Sequence, residues 1–345
     1  MNTSDFAYQL PSELIAQEPA GERANARLML AQRSSHRLEH HAFHDLPQLL
    51  RRGDLLVLNN TKVFPARLIG RPKGKSGTVE VFLIRQADAH LWEVLVRPGR
   101  KLHSGAHILF GEGLVGHVDK EGPHGRRWIR FEYAGDFFTI LDRMGQTPLP
   151  PYIHRERGPS SSDSKRYQTV YARALGSVAA PTAGLHFTHE ILESMRQSGM
   201  TVCEITLHIG YGTFQPIRTE CIENHRMEPE HYSIPPETAD LINAQKARGG
   251  RVIAVGTTTT RTLEAVARAH DGKIAAGAGV TDLFIYPGFS FQIISGLITN
   301  FHLPRSSLLM LVCAFAGKDW TLEWYQEAIR QGYRFYSYGD ATLIL

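Results

Sequence analysis

The stretch Asp54-Leu-Leu-Val-Leu-Asn-Asn-Thr-Lys62 decides the fold of this chain. Its apolar centre, bounded by Asp54 and Asn59, predicts a buried strand. From Lys62 to Tyr133 the sequence changes to six short segments separated by turn residues, which is typical of a small barrel or sandwich. Helices and strands follow again after this stretch. We therefore interpret the β-rich part as an insertion.

The rest of the sequence predicts an α/β arrangement. Thr188 is a good N-cap for a helix over His189–Met195. A strand is predicted over Arg251–Val255, and Gly256-Thr-Thr-Thr-Thr-Arg261 links it to a helix predicted over Thr262–His270. Strands that alternate with helices in this way favour a layered sheet with helices on its faces.

We predict an α/β fold in which a larger layered α/β domain carries an inserted small antiparallel β-barrel domain. Residues 1–61 and 150–345 form the discontinuous α/β domain, and residues 62–149 form the barrel. The polar, Ser-rich segment His154–Arg166 predicts a mobile loop. The apolar segment Ser307–Ala316 predicts a buried strand or helix.

The composition is typical of a soluble globular protein, with 42% hydrophobic and 21% charged residues in 345. No apolar run reaches the roughly 20 residues of a membrane helix, and the first residues lack the pattern of a signal peptide. The three cysteines, Cys203, Cys221 and Cys313, show no paired spacing, which favours a reducing compartment. We expect a cytoplasmic protein without membrane contact.

The positive charge is concentrated in the predicted barrel. Lys62–Tyr133 contains thirteen Lys and Arg against seven Asp and Glu, a net charge of +6, whereas the whole chain carries +4, so the remainder carries −2. A basic barrel is typical of contact with a nucleic-acid phosphate backbone. The alternative is an ordinary soluble surface.

Two loops combine small residues, a histidine, aromatic rings and hydroxyls. They are Ala180-Pro-Thr-Ala-Gly-Leu-His-Phe-Thr188 and Leu207-His-Ile-Gly-Tyr-Gly-Thr-Phe-Gln-Pro-Ile-Arg218. Glycine lets a ligand approach the backbone, and an imidazole transfers protons near neutral pH. For each loop the alternative is a tight turn beside core residues.

Polar segments also follow two predicted strands. Free N–H groups, hydroxyls and an arginine in Gly256–Arg261 suit a carboxylate, a phosphate or a ribose, although a cluster of capping residues would look the same. The segment matches neither a Walker loop nor a Rossmann fingerprint, which disfavours nucleotide hydrolysis and a dinucleotide cofactor. Asn59–Thr61 lies where open sheets hold ligands, and an Asx turn is the alternative. His225–His231 lacks metal-ligand spacing, so we expect no metal.

Taken together, these segments resemble one family, the S-adenosylmethionine:tRNA ribosyltransferase-isomerases of queuosine biosynthesis. The resemblance spans nearly the whole chain with its motifs in order. The matching segments are Leu58–Arg67, Tyr167–Ala172, Ala180–Thr188, Gly210–Phe214, His225–Glu230, Val255–Arg261, Thr281–Ile285, Asn300–Pro304 and Tyr338–Ala341.

The resemblance implies that S-adenosylmethionine donates its ribosyl moiety, which is transferred and isomerised onto the aminomethyl group of the 7-deazaguanine base preQ1 in a tRNA anticodon. The products would be epoxyqueuosine-tRNA, adenine and methionine. No metal or bound cofactor is implied, because S-adenosylmethionine is a consumed substrate. The family's fold, a larger α/β domain with an inserted β-barrel, agrees with the prediction above.

This reaction needs a base beside the sulfonium carbon and a proton for the departing adenine. His186 is our first choice for the base, because the positive end of the following helix would keep its ring neutral, and His302 is our second. Tyr211, Tyr338 or Asp340 would supply the proton.

The remaining residues predicted to bind substrate surround these groups. Arg261 and the threonines before it suit the methionine carboxylate, and Phe187, Tyr211 and Phe214 suit stacking on a base. The full predicted substrate-binding set is Asn59, Asn60, Thr61, Arg67, Thr182, Gly184, Phe187, Gly210, Gly212, Thr213, Phe214, Thr257, Thr258, Thr259, Arg261, Asn300 and Tyr338. For tRNA we predict Arg126, Arg127 and Arg130.

Two other classes of protein stay open from the sequence alone. One is an α/β enzyme acting on a free nucleoside, with the barrel as an oligomerisation module. The other is a non-catalytic RNA-binding protein. The basic barrel disfavours the first, and the loops rich in His, Thr and Gly disfavour the second. We expect a monomer.

Overall fold

The structure is a computed structural model that describes residues 1–156, 158–214 and 216–345, without the side chain of Phe214. The strands are β1 (Arg27–Gln32), β2 (Arg37–Ala42), β3 (Leu55–Asn59), β4 (Thr61–Val63), β5 (Arg67–Pro72), β6 (Val79–Gln86), β7 (Leu91–Arg97), β8 (His107–Gly111), β9 (Leu114–Glu121), β10 (Arg126–Glu132), β11 (Ala174–Ser177), β12 (Thr201–Leu207), β13 (Glu230–Ile234), β14 (Val252–Val255), β15 (Gly277–Thr281), β16 (Gly296–Asn300) and β17 (Ala341–Ile344). The α-helices are α1 (Leu46–Leu49), α2 (Phe137–Met144), α3 (Ser161–Arg166), α4 (His189–Gln197), α5 (Pro236–Ala247), α6 (Thr257–Ala269), α7 (Ser307–Ala316) and α8 (Lys318–Arg330).

A mixed nine-stranded sheet forms the larger domain, with the order β15-β13-β12-β3-β14-β16-β17-β1-β2. The four strands β12, β3, β14 and β16 are parallel to one another. Alternate residues of β3 serve opposite faces: Leu55 and Val57 pack with helices α5 to α8, whereas Leu56 and Leu58 pack with α1 and α4. Both faces of the sheet are therefore covered, and the predicted layered α/β domain is confirmed.

The six predicted segments of the insertion close into an antiparallel barrel with the order β10-β7-β6-β5-β8-β9. Their inward residues, such as Val81, Val94 and Ile129, form a separate core onto which Phe137 and Leu141 of α2 pack. The barrel strands lie between Arg67 and Glu132. The predicted α/β fold with an inserted barrel is confirmed, and the domain boundaries at 61/62 and 149/150 stay predictions.

Two contacts join the barrel to the α/β domain close to the loop after β12. Arg126 of β10 pairs with Glu93 of β7 and also with Glu228, which precedes β13. The ring of Phe82 packs edge-on against Tyr211 with their centroids 5.4 Å apart. These contacts fix the barrel beside the loop that begins at Ile209.

Two local predictions differ from the structure, and a third, which left two alternatives open, is decided by it. The Ser-rich segment is not simply a loop, because α3 lies within it and begins with a capping box between Ser160 and Asp163. Asp163 is buried and pairs with Arg155 at 2.9 Å, so a paired charge holds the segment in place. Helix α6 begins at Thr257 and not at Thr262, so the threonine run forms its first turns. Ser307–Ala316, for which a strand or a helix was predicted, is the helix α7.

Candidate active site

A cavity of about 600 Å³ lies at the carboxyl ends of the parallel strands β14 and β16. Its volume is typical of a small-molecule site, and its position is the usual one in an open α/β sheet. The segments Gly256–Arg261 and Thr299–Ser307 form two of its walls, and Ala179–Ala183 forms a third. The predicted site residues that line it are Thr182, Thr213, Thr257, Thr258, Arg261, Asn300 and His302.

Two helices begin at this cavity, α6 after β14 and α7 after β16. The first N–H groups of a helix lack intrahelical partners and carry partial positive charge. Gly256 precedes α6 with φ of +90°, a conformation that suits glycine. Ser306 caps α7, because its side chain accepts a hydrogen bond from the Leu309 N–H. The cavity is therefore suited to electron-rich groups of a ligand.

Only part of the threonine run faces this cavity. Thr257 and Thr258 line it, whereas the Thr259 hydroxyl donates to the Val255 carbonyl at 2.7 Å and the Thr260 hydroxyl donates to the Gly256 carbonyl at 3.2 Å. Such bonds within a helix satisfy buried hydroxyls. Thr259 therefore lies behind the cavity wall.

Arg261 contributes a paired charge to the cavity. Its Nη1 donates to Glu230 Oε2 at 2.6 Å, and its Nε donates to the Leu283 carbonyl at 2.8 Å. The other Glu230 oxygen accepts from the N–H of Gly210 at 3.0 Å. Both charged side chains are buried, and Arg261 Nη2 has no hydrogen-bond partner among the described residues. The pair is neutral overall, and only the Nη2 amino group of the guanidinium stays without a partner among the described residues.

His302 lies on the cavity wall, and its Nε2 is 2.8 Å from the Thr299 hydroxyl. Burial lowers its pKa from the usual value to about 3, so the ring is neutral at neutral pH. Its neighbour Asn300 donates to the Tyr336 carbonyl at 2.9 Å. His302 is therefore a neutral imidazole within reach of a bound molecule.

His186 does not line this cavity and lies at the end of a short 3-10 helix. It lines a separate small cavity of about 20 Å³ together with Arg23, Arg166 and Tyr338, a space that fits about one water molecule. Its pKa is lowered to about 4, mainly by burial; the side chain of Asn300 opposes this shift, and the charges of Arg334 and Arg23 add to it. Burial is therefore the main cause of the lowered pKa, and not the positive end of the following helix as predicted.

The residues flanking His186 serve the core. A Cβ atom on Gly184 would lie 2.1 Å from the Tyr171 hydroxyl, so close packing accounts for this glycine. Phe187 is fully buried, with its ring edge-on to Phe43, and does not line the large cavity. The N-cap prediction for Thr188 is confirmed, since its side chain accepts from the Ile191 N–H.

The polar residues at the end of β3 and directly after it bond neighbouring strands and do not line the large cavity. Asn59 bonds both backbone groups of Leu207 at 3.0 Å, and Asn60 donates to Glu204 at 2.9 Å. Thr61 lies 2.8 Å from a ring nitrogen of His208. Asn59 contacts the cavity wall indirectly, because its Nδ2 lies 3.4 Å from the hydroxyl of Thr258.

The predicted proton donors also lie outside the large cavity. Tyr211 packs against the barrel, and Tyr338 donates to Asp163 at 3.4 Å. Asp340 accepts from the backbone N–H groups of Arg27 and Arg334 at 3.0 and 2.8 Å.

Three further residues predicted to bind substrate also lie outside the large cavity. Arg67 pairs with Glu80 at 2.7 Å in the barrel, and Gly210 and Gly212 lie next to Glu230 and Glu228. The Phe214 side chain is outside the described residues.

Sequence reasoning missed several residues of the cavity wall. Tyr152, Tyr167, Tyr336 and Ser337 come from two segments far apart in the chain. The Tyr152 hydroxyl bonds that of Ser337, and burial raises the pKa of Tyr167 above its usual range. Tyr167 begins one of the segments that resemble the family, so the sequence did indicate this residue. No spacing rule connects it to residues 336 and 337.

The three arginines predicted to bind tRNA are paired with carboxylates. Arg126 pairs with Glu93 and Glu228, Arg127 is buried and pairs with Glu121, and Arg130 pairs with Asp119. A separate open cleft of about 390 Å³ on the barrel is lined by Lys73, Lys75, Lys101, His103 and His107. The lysine ammonium groups of this cleft have no carboxylate beside them among the lining residues.

Comparisons with known proteins agree with this arrangement. The sequence model of the family described as "Queuosine biosynthesis protein" matches residues 3–344. Proteins named S-adenosylmethionine:tRNA ribosyltransferase-isomerase from Desulfitobacterium hafniense and Symbiobacterium thermophilum are 49% and 51% identical, with 100% of each chain covered. The crystal structure of S-adenosylmethionine tRNA ribosyltransferase from Thermotoga maritima is 39% identical and has a TM-score of 0.56, and the match covers 99% of this chain and 100% of that one. Within the described residues, no helix is long and apolar enough to cross a membrane. The chain belongs to the queuosine biosynthesis protein family.

Proposed function

We propose that this chain is an S-adenosylmethionine:tRNA ribosyltransferase-isomerase that acts on preQ1 in a tRNA anticodon. The observation that carries the proposal is the meeting of separate family-like segments at one cavity, with Thr182, Thr257 and Asn300 on its walls. Three loops that are distant in sequence therefore meet at one cavity. Turns without a shared function would have no reason to do so. The reaction would consume S-adenosylmethionine and release adenine and methionine.

The cavity suits a sulfonium nucleoside with an amino-acid end. Its walls combine apolar side chains such as Ile209 and Leu308 with the hydroxyls of Thr257 and Thr258. Proton removal beside the sulfonium generates a carbanion that the positive sulfur stabilises. A base must reach that proton within about 2.6–3.2 Å in the bound complex.

We propose His302 as this base and keep His186 as the alternative. The support for His302 is its position on the wall of the large cavity and its neutral ring. His186 is also neutral, but it lines the smaller cavity. For the departing adenine, Tyr167 places a phenolic hydroxyl on the cavity wall, and we add it to the predicted donors Tyr211, Tyr338 and Asp340.

The proposed function is tested by incubating the purified protein with S-adenosylmethionine and tRNA that carries preQ1. We expect free adenine and methionine in equal amounts, and no adenine with the same tRNA carrying guanine at that position. Release of adenine with a free nucleoside and no need for tRNA would favour the small-molecule enzyme. Binding of tRNA without any adenine release would favour a non-catalytic RNA-binding protein.

We also propose that the lysine cleft of the barrel contacts the tRNA backbone. Charge reversal at Lys73 and Lys101 together is expected to weaken tRNA binding at least about tenfold at low salt and to flatten its dependence on salt, because each neutralised phosphate releases counterions. Filter binding of tRNA over a range of salt concentrations measures both effects. Arg52→Glu, an exposed change on the α/β domain, is the control. Equal losses in both variants would contradict a role for the cleft.

A further inference from the structure

The segment that leads into α7 forms one wall of the large cavity. Arg305, Ser306 and Ser307 all line it. The Ser306 hydroxyl donates to the Leu303 carbonyl at 2.7 Å and accepts from the Leu309 N–H at 3.2 Å, so the helix start is held rigidly. Helix α7 has ten residues, and its first-turn N–H groups lack backbone partners; Ser306 caps that of Leu309, which leaves those of Ser307 and Leu308. This wall therefore presents backbone donors to the cavity.

Arg305 adds a full positive charge to these donors. It adopts a φ of +58°, which residues other than glycine rarely do, and its N–H donates to the Phe6 carbonyl at 3.0 Å. Its side chain is exposed and forms no ion pair or hydrogen bond with the described residues. The backbone thus holds an unpaired guanidinium at the cavity in an uncommon conformation.

A second observation at the same cavity points to a bound polar molecule. Arg261 is 3% exposed, and its Nη2 lies buried without a hydrogen-bond partner among the described residues. Buried donors in native proteins are usually satisfied, so a ligand is the expected partner. Because Glu230 already neutralises Arg261, a ligand carboxylate would be drawn less strongly to it than to Arg305.

We propose that Arg305 and the first turn of α7 bind the carboxylate of the donor's methionine end, and that Arg261 Nη2 donates to a neutral acceptor of the same molecule. This inference rests on the proposed function, since it assigns one end of S-adenosylmethionine. A guanidinium and helix N–H groups together form charge-assisted hydrogen bonds to a carboxylate. The apolar neighbours Pro304 and Leu308 suit the methylene groups beside it.

The test compares S-adenosylmethionine with its decarboxylated analogue, which keeps the sulfonium, the adenosine and the amine. Binding of each to wild type, Arg305→Ala and Arg305→Lys is measured by calorimetry without tRNA. We expect wild type to prefer the carboxylated donor by about 10- to 100-fold, which corresponds to about 1.4–2.8 kcal/mol. Arg305→Ala should lose this preference, because only the affinity for the carboxylated donor falls, and Arg305→Lys should keep part of the preference.

Arg52→Ala, an exposed substitution before β3, serves as the matched control and should keep the full preference. Equal weakening of both ligands by Arg305→Ala, or no weakening of either, would overturn the inference. Loss of tRNA affinity in Arg305→Ala with unchanged donor affinity would assign the arginine to an RNA phosphate and would also overturn it. If wild type neither bound a ligand nor released adenine with tRNA carrying preQ1, the proposed function itself would fail; if wild type released adenine but showed no preference for the carboxylated donor, only this inference would.

Discussion

Replacing His302 with alanine is expected to lower adenine release about 10²–10⁴-fold, the usual contribution of a general base. His302 lies on the wall of the large cavity and is neutral because burial lowers its pKa to about 3. The ring is therefore unprotonated at any pH well above that value. We expect no loss of rate between pH 8 and pH 6 from protonation of this group.

Exchange of solvent deuterium into the sulfonium-adjacent carbon of the donor isolates the step that the base performs. If exchange is reversible in the wild type, His302→Ala should abolish it, and His186→Ala should keep it. Because His302 is buried and contacts Thr299, His302→Gln provides a second variant of similar size. Donor binding measured by calorimetry shows that either variant is folded.

The same exchange measurement also tests His186 as the base. Exchange that survives in His302→Ala and disappears in His186→Ala would make His186 the base, as the sequence alone favoured. Exchange that survives in both variants would show that neither imidazole removes the proton.

Replacing Arg261 with alanine is expected to lower the free energy of unfolding by about 3–5 kcal/mol, because Glu230 would be left buried and unpaired. Urea denaturation followed by circular dichroism measures this loss. The control is Arg330→Ala, which breaks the exposed pair with Glu327 and should change stability by about 0–1 kcal/mol. Replacing both Arg261 and Glu230 with methionine should recover most of the loss.

Similar small losses in Arg261→Ala and Arg330→Ala would contradict a buried ion pair behind the cavity wall. A large loss of stability only in Arg261→Ala supports the buried ion pair. Weaker donor binding by this variant could then come from lost stability as well as from a lost contact with the donor. For this reason Arg305 is the better position at which to test recognition of the donor's carboxylate.

Much of the fold was predictable because its signals are local. The apolar run around Leu56 gave a buried strand, and alternation within segments such as Val79–Gln86 gave the barrel. Thr188 marked a helix start through its capping chemistry. These signals need only the chemistry of neighbouring residues.

The candidate site was less predictable because its contacts are distant in sequence. The pair between Arg261 and Glu230 spans 31 residues, and no spacing rule indicates it. Two histidines in similar loops differ only in which cavity they line, and burial of that kind cannot be derived from composition. The threonine run looked like a set of ligand hydroxyls, yet Thr259 and Thr260 bond the preceding turn. Phe187 was predicted to stack on a base, but it directly precedes the N-cap Thr188, where an apolar side chain often packs against the new helix, and its ring lies in the core.

The central claim is that S-adenosylmethionine donates its ribosyl moiety to tRNA at this cavity. The most direct measurement uses two preparations of the donor, one labelled in the ribose and one labelled in the methyl group, with tRNA carrying preQ1. We predict that the ribose label appears in the tRNA in an amount equal to the adenine released, and that the methyl label leaves with methionine. Transfer of the methyl label to the tRNA, or adenine release without ribose label in the tRNA, would contradict the account.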